Sequence, residues 1–113
     1  MPTIKTLGRK KPFHYEGSIG EGVTIQFPGG NTPVSAALFE AILGQFGGQT
    51  IPGGFSFDNP TPGGLGEWVQ EHSSEFNSRA LTPKHASHIA AILVRECNVG
   101  FSIDGNAVWL HFP

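Results

Sequence analysis

The chain contains a single cysteine, Cys97, so no internal disulfide can brace it. Helical spacing puts that thiol on an apolar face, as a small core residue rather than a nucleophile. Apolar runs are short, none approaching the roughly 20 residues that a membrane span needs, and the start of the chain shows no cleavable signal pattern. The expectation is a cytoplasmic, intracellular protein without a membrane partner. Catalytic groupings are missing too. The five His, nine acids and one Cys fall into no Ser-His-Asp, Cys-His or His-x-Glu arrangement. The Pro-Gly-Gly runs lack the Lys of a phosphate loop and read as turns, and Gly63, Gly64 and Gly66 before a helix read the same way. His85 and His88 stand three apart without a third donor at a metal-binding spacing. The sequence therefore predicts a protein that is not an enzyme and uses no cofactor and no metal. Its 113 residues suffice for one domain with a core, not for two.

What is present is an uneven distribution of charge. The formal net charge is −2, yet Lys5, Arg9, Lys10 and Lys11 supply four of the seven cations. Residues 12–113 hold three Lys or Arg against nine acids, a net −6. The reading is a basic flexible arm over residues 1–12 on an acidic body, residues 13–113. Such an arm can follow a phosphate backbone or simply solubilise a terminus.

From residue 82 the pattern is sharper. Thr82 suits an N-cap and Pro83 the first helical position. Ala86, Ile89, Ala90, Leu93, Val94 and Cys97 follow the i, i+3, i+4, i+7 spacing of one helix face. Lys84, His88, Ala91 and Arg95 fall opposite, with Ser87 beside them and no acid among them. The spacing predicts a helix over 83–97 with a basic outward stripe, which suits a phosphate backbone or an acidic partner, or is an ordinary wetted face. Next, Val99, Phe101 and Ile103 alternate, Asp104-Gly105 marks a tight turn, and Val108, Leu110 and Phe112 alternate back as a hairpin. Ser102, Trp109 and His111 point to its other side.

Earlier in the chain, Phe13 to Tyr15 and Val23 to Phe27 read as strands. Thr32-Pro33 repeats the cap signature and predicts a helix over 33–46, closed by Gly47-Gly48. Residues 47–64 hold six glycines and three prolines and read mostly as loop, with Gln49 to Ile51 and Phe55 to Phe57 as strand-like fragments. Leu65, Trp68, Val69, His72 and Phe76 predict a second helix, with Asn77-Ser78-Arg79 as its exit.

The order helix, short extended piece, helix, turn, helix, strand, turn, strand resembles the winged helix-turn-helix superfamily. The resemblance is carried by Leu65 to Phe76, the turn Asn77 to Leu81, Pro83 to Cys97 and the hairpin Val99 to Phe112, and it is one of topology, without an invariant motif. It implies an α+β fold of three helices with a C-terminal β-hairpin, here with an N-terminal β extension. It further implies that residues 83–97 are a recognition helix and Asp104-Gly105-Asn106 a wing tip. The expected function is binding of duplex DNA. Lys84, Ser87, His88 and Arg95 would face the groove, Arg79 would stand at the helix approach, and Lys10 and Lys11 would serve as an arm. The wing tip carries no Lys or Arg and one acid, and residues 52–64 form a long insertion. A module for protein partners or self-association, using exposed aromatics among Phe55, Phe57, Phe76 and Trp109, is the alternative.

Overall fold

The computed structural model describes residues 3–56, 58–105 and 107–113. Phe57 and Asn106, read above as part of an aromatic patch and of the wing tip, lie outside the described residues. Four strands come first, β1 (Thr3–Lys5), β2 (Pro12–Ser18), β3 (Gly22–Phe27) and β4 (Gly30–Val34), forming an antiparallel meander in that order. Then follow α1 (Ala36–Phe46), β5 (Thr50–Pro52), α2 (Leu65–Phe76), α3 (Pro83–Glu96), β6 (Gly100–Asp104) and β7 (Ala107–His111). Strands β5, β7 and β6 make a second antiparallel sheet with β7 in the middle. The fold is α+β, with three helices and two antiparallel sheets among the described residues. None of these helices is long and apolar enough to cross a membrane.

Period-two alternation builds the first sheet. Phe13 and Tyr15 on β2, Val23 and Ile25 on β3, and Thr32 and Val34 on β4 all turn inward and are buried. The register Tyr15↔Ile25, Ile25↔Thr32 and Val23↔Val34 lines these side chains up on one face. This corrects the expectation for residues 32–35. Thr32 and Pro33 do not cap a helix but continue β4, because Thr32 and Val34 gain burial there. Ser35 is the cap, its Oγ accepting from the Leu38 N–H at 3.1 Å.

The expected arm is also corrected along its described part. Residues 3–5 pair with β2, Thr6 and Leu7 are each only 6% exposed, and the Thr6 N–H donates to the Lys11 carbonyl at 3.0 Å. Ile4 and Leu7 are apolar, so folding the segment back removes them from water. Gly8 lies so near β7 that a Cβ there would stand 3.3 Å from Val108 Cγ2.

Helix α3 is the most buried of the three helices. Pro83, Ala86, Ile89, Ala90, Ala91, Ile92 and Leu93 are all buried, so apolar contact extends well beyond one stripe. Ala91, expected on the wetted side, is 4% exposed. Cys97 caps the C-terminus of α3, half-buried, with its thiol pKa pushed up by burial and by Glu96. The start of α2 packs as tightly. A Cβ on Gly66 would come within 1.9 Å of the Gly54 carbonyl oxygen, so only glycine fits. In the second sheet Val108 and Leu110 are buried, but their cross-strand partners Ile103 and Phe101 are 46% and 40% exposed. The hairpin pairs as expected, and only one of its strands lies under cover.

Candidate nucleic-acid interface

The turn between α2 and α3 is fixed by two polar side chains. Buried Ser73 accepts the Leu81 N–H on its Oγ at 2.8 Å. Asn77, the C-cap of α2, accepts the Ser35 N–H at 2.7 Å and donates from Nδ2 to the carbonyls of Pro33 and Arg79, both at 3.0 Å. Asn77 thereby ties the end of β4, the start of α1 and the backbone of Arg79 into one joint. Arg79 projects from a held backbone rather than a loose loop.

The start of α3 is held next. His85 takes the place usually filled by Glu in a capping box: its Nδ1 accepts the Thr82 N–H at 3.1 Å. Burial lowers the His85 pKa below 6.5, and the charges of Arg79 and Lys84 lower it further. One turn on, His88 Nδ1 bonds the Lys84 carbonyl at 3.2 Å, and the ring lies edge-on to Phe13 and Phe27, with centroids 4.8 and 4.9 Å away. Burial lowers its pKa as well, partly offset by that carbonyl. Ser87 Oγ donates to the same carbonyl at 2.8 Å.

These contacts correct the expected outward stripe. The side of α3 opposite α2 faces the first sheet, whose Phe13 and Phe27 cover His88, while the Tyr15 hydroxyl donates to Glu96 near the far end. The uninterrupted run Ile89-Ala90-Ala91-Ile92-Leu93-Val94 was the sequence signal for a helix covered on more than one side.

Of the seven residues singled out, four come together. Arg79 and Lys84 are exposed, and Ser87 and His88 are half-buried beside them. Lys84, His85, His88 and Phe27 line an open crevice of about 180 Å³. Arg79, Phe27, Thr32 and the β3–β4 turn Gly29-Gly30-Asn31 line a second of about 200 Å³. Phe27 belongs to both, so the two adjoin. Each is smaller than the ~300 Å³ at which small-molecule sites begin, which suits the charged end of a larger ligand better than an engulfed molecule. The other three are elsewhere. Lys10 and Lys11 lie on the β1–β2 turn, and Arg95 is eleven residues along α3 from Lys84, about 16 Å at 1.5 Å per residue. Among the described residues the ion pairs are those of His72 with Glu75 at 2.7 Å and Glu71 at 3.9 Å, and no Lys or Arg is paired. Also among the described residues, no three His, Cys, Asp or Glu side chains converge as metal ligands would.

Sequence reasoning missed Phe27 and Asn31, and took Asn77 only as a helix exit. Pro28-Gly29-Gly30 was legible as a turn, but not where it would stand. No protein-family model, curated protein or solved structure matches this chain.

Proposed function

We propose that this protein is a non-catalytic nucleic-acid-binding domain that grips the phosphates of duplex DNA at the N-terminal end of α3. The observation that carries this reading is the pair Arg79 and Lys84: both exposed, both without an ion-pair partner among the described residues, on either side of Phe27 at two adjoining crevices. Cations left unpaired on a body of net negative charge attract an anionic ligand to that place. The winged-helix resemblance is supported by β5, the short piece between the first two helices, pairing β7 of the hairpin in one three-stranded sheet. The coverage of His88 restricts contact to the end of the helix, with Ser87 at its margin. Lys10 and Lys11 reach the backbone separately, and Arg95 contributes less.

The test is fluorescence anisotropy against a random-sequence duplex over a salt series. Binding that weakens with salt is expected, with a log–log slope reduced by roughly 2 in the Arg79→Glu/Lys84→Glu variant, since each phosphate left without its cation removes about 0.9 from the slope. No binding at low salt, or binding unchanged by the double substitution, would overturn the reading.

A second reading has its own observation. Phe112, Phe46, Trp68 and Phe76 form a chain of ring contacts with centroids 5.6, 6.0 and 6.1 Å apart, ending in Phe76, 38% exposed and stacked on Trp68. An aromatic end open to solvent suits a protein partner. Docking there would persist at high salt and fail in Phe76→Ser.

A further inference from the structure

The four outer edges of the two sheets are not alike. Strand β1 is three residues long and includes Lys5, β4 carries Pro33, and β5 is three residues long and ends in Pro52. Shortness, Lys and Pro are devices that keep an edge from pairing with another chain. Strand β6, Gly100-Phe101-Ser102-Ile103-Asp104, has no Lys and no Pro, and all five residues are exposed, Phe101 and Ile103 by 40% and 46%. Its outer side has no strand beside it among the described residues.

The hairpin register says which backbone groups face out. Asp104 pairs with Ala107 across a connection of two residues, Gly105 having the positive φ of 63° that such turns require. The pair closing a two-residue hairpin exchanges both of its hydrogen bonds, and bonding alternates from there. Asp104, Ser102 and Gly100 therefore bond to β7, and Phe101 and Ile103 direct N–H and C=O away from the sheet.

We propose that two copies of this chain pair antiparallel through β6, joining their three-stranded sheets into one sheet of six. The proposal stands independently of nucleic-acid binding. The strand is complementary to itself in one register, centred on Ser102. There Phe101 faces the partner's Ile103 and Ile103 the partner's Phe101, so all four free groups on each chain are used and the exposed apolar side chains meet on one face. Asp104 falls opposite the partner's Gly100, and the two aspartates lie four positions apart, about 14 Å at 3.4 Å per residue, beyond the ~8 Å screening length at physiological salt. A register centred on Ile103 brings the aspartates to about 7 Å. One centred on Phe101 sets Ile103 against the partner's Val99, which is already buried. Five residues a side bury less than the ~1,200 Å² of a stable standard interface, so the dimer is reversible.

Sedimentation of the intact protein from about 10 to 500 µM reads the affinity, the range where so small an interface is half-populated. Ile103→Pro removes an outward N–H without touching the β7 ladder and is expected to weaken dimerisation at least tenfold with an unchanged melting temperature. For register, Ser102→Cys in a Cys97→Ser background faces its own copy as a non-hydrogen-bonded pair, about 4.5 Å between Cα atoms and within disulfide reach. Gly100→Cys, where a Cβ makes only ordinary contacts of 3.6 Å and beyond, faces the partner's Asp104 and cross-links far more slowly. A monomer throughout the range overturns the proposal, even if some other strand binds the edge. So does a dimer that survives Ile103→Pro, or one that cross-links equally well from positions 100 and 102.

Discussion

Ile25 in the first sheet and Ile103 in the second sit in strands of the same alternating kind, yet one is fully buried and the other 46% exposed. On β2, β3 and β4 the inward positions are buried, with Phe13 against His88 of α3 and the Tyr15 hydroxyl bonded to Glu96 near the end of that helix. On the hairpin, cover stops at β7: Val108 and Leu110 are under it, while Ile103 and Phe101 across the ladder are not. Alternation tells which way a side chain points. Whether anything lies there is settled by the neighbouring elements, and an uncovered side becomes available for another purpose.

The sharpest way to break this comparison is the same substitution in both sheets. Ile25→Ala is expected to cost about 2–5 kcal/mol and Ile103→Ala under about 1, read by urea denaturation of each variant. Equal losses would remove the distinction. Leu93→Ala, in the fully buried part of α3, belongs with Ile25 at about 3 kcal/mol.

A titration sharpens the covered side. Tyr15 is the chain's sole tyrosine, and burial together with its bond to Glu96 pushes its pKa up to about 12. Ultraviolet absorbance should therefore show tyrosinate forming near pH 12 in the folded protein. Because the unfolded chain loses that proton near 10, the stability Tyr15 contributes is present below pH 10 and lost as pH rises through 12. Tyr15→Phe should flatten that alkaline loss. A folded-state midpoint near 10 would show that β2 does not seal the residue.

The acid side has the opposite sign. Burial of His85 and His88 lowers both pKa values below 6.5, so the unfolded chain takes up protons first as pH falls. Their contribution is complete above about 6.5 and declines as pH drops through the lowered folded values. His88→Phe, which keeps an aromatic ring against Phe13 and Phe27, should reduce the dependence, and an unchanged profile would place the proton uptake elsewhere. The smallest effect is expected at the proposed contact. Arg79→Glu and Lys84→Glu should each change stability by less than about 0.5 kcal/mol, since both side chains are exposed and unpaired among the described residues.

Much of the fold was legible because its signals are local. Leu65 to Phe76 and Pro83 to Glu96 announce themselves by 3.6-residue spacing, the latter with its Thr-Pro start, and Asp104-Gly105 fixes the hairpin register. Thr32-Pro33 misled because the same two residues suit a cap and an edge strand, and the choice went to the pairing that buries Thr32 and Val34. The candidate site was half legible. Arg79 and Lys84 stood out as cations near a helix start. His85 escaped notice as a cap acceptor because the usual residue there is Glu or Gln. The place of His88 as a ring between Phe13 and Phe27 depends on two residues far back in the chain, which no local pattern relates to it.

The sequence by itself determined the three helices, the hairpin and the alternation of β2 and β3, because those follow from the spacing of apolar residues and from a few caps and turns. Only the tertiary structure decided which inward sides are covered, that the segment before Phe13 folds back against the first sheet, and that the middle of α3 is covered on more than one side. Those outcomes come from the competition of distant surfaces for the same helix, which α2 and the first sheet share.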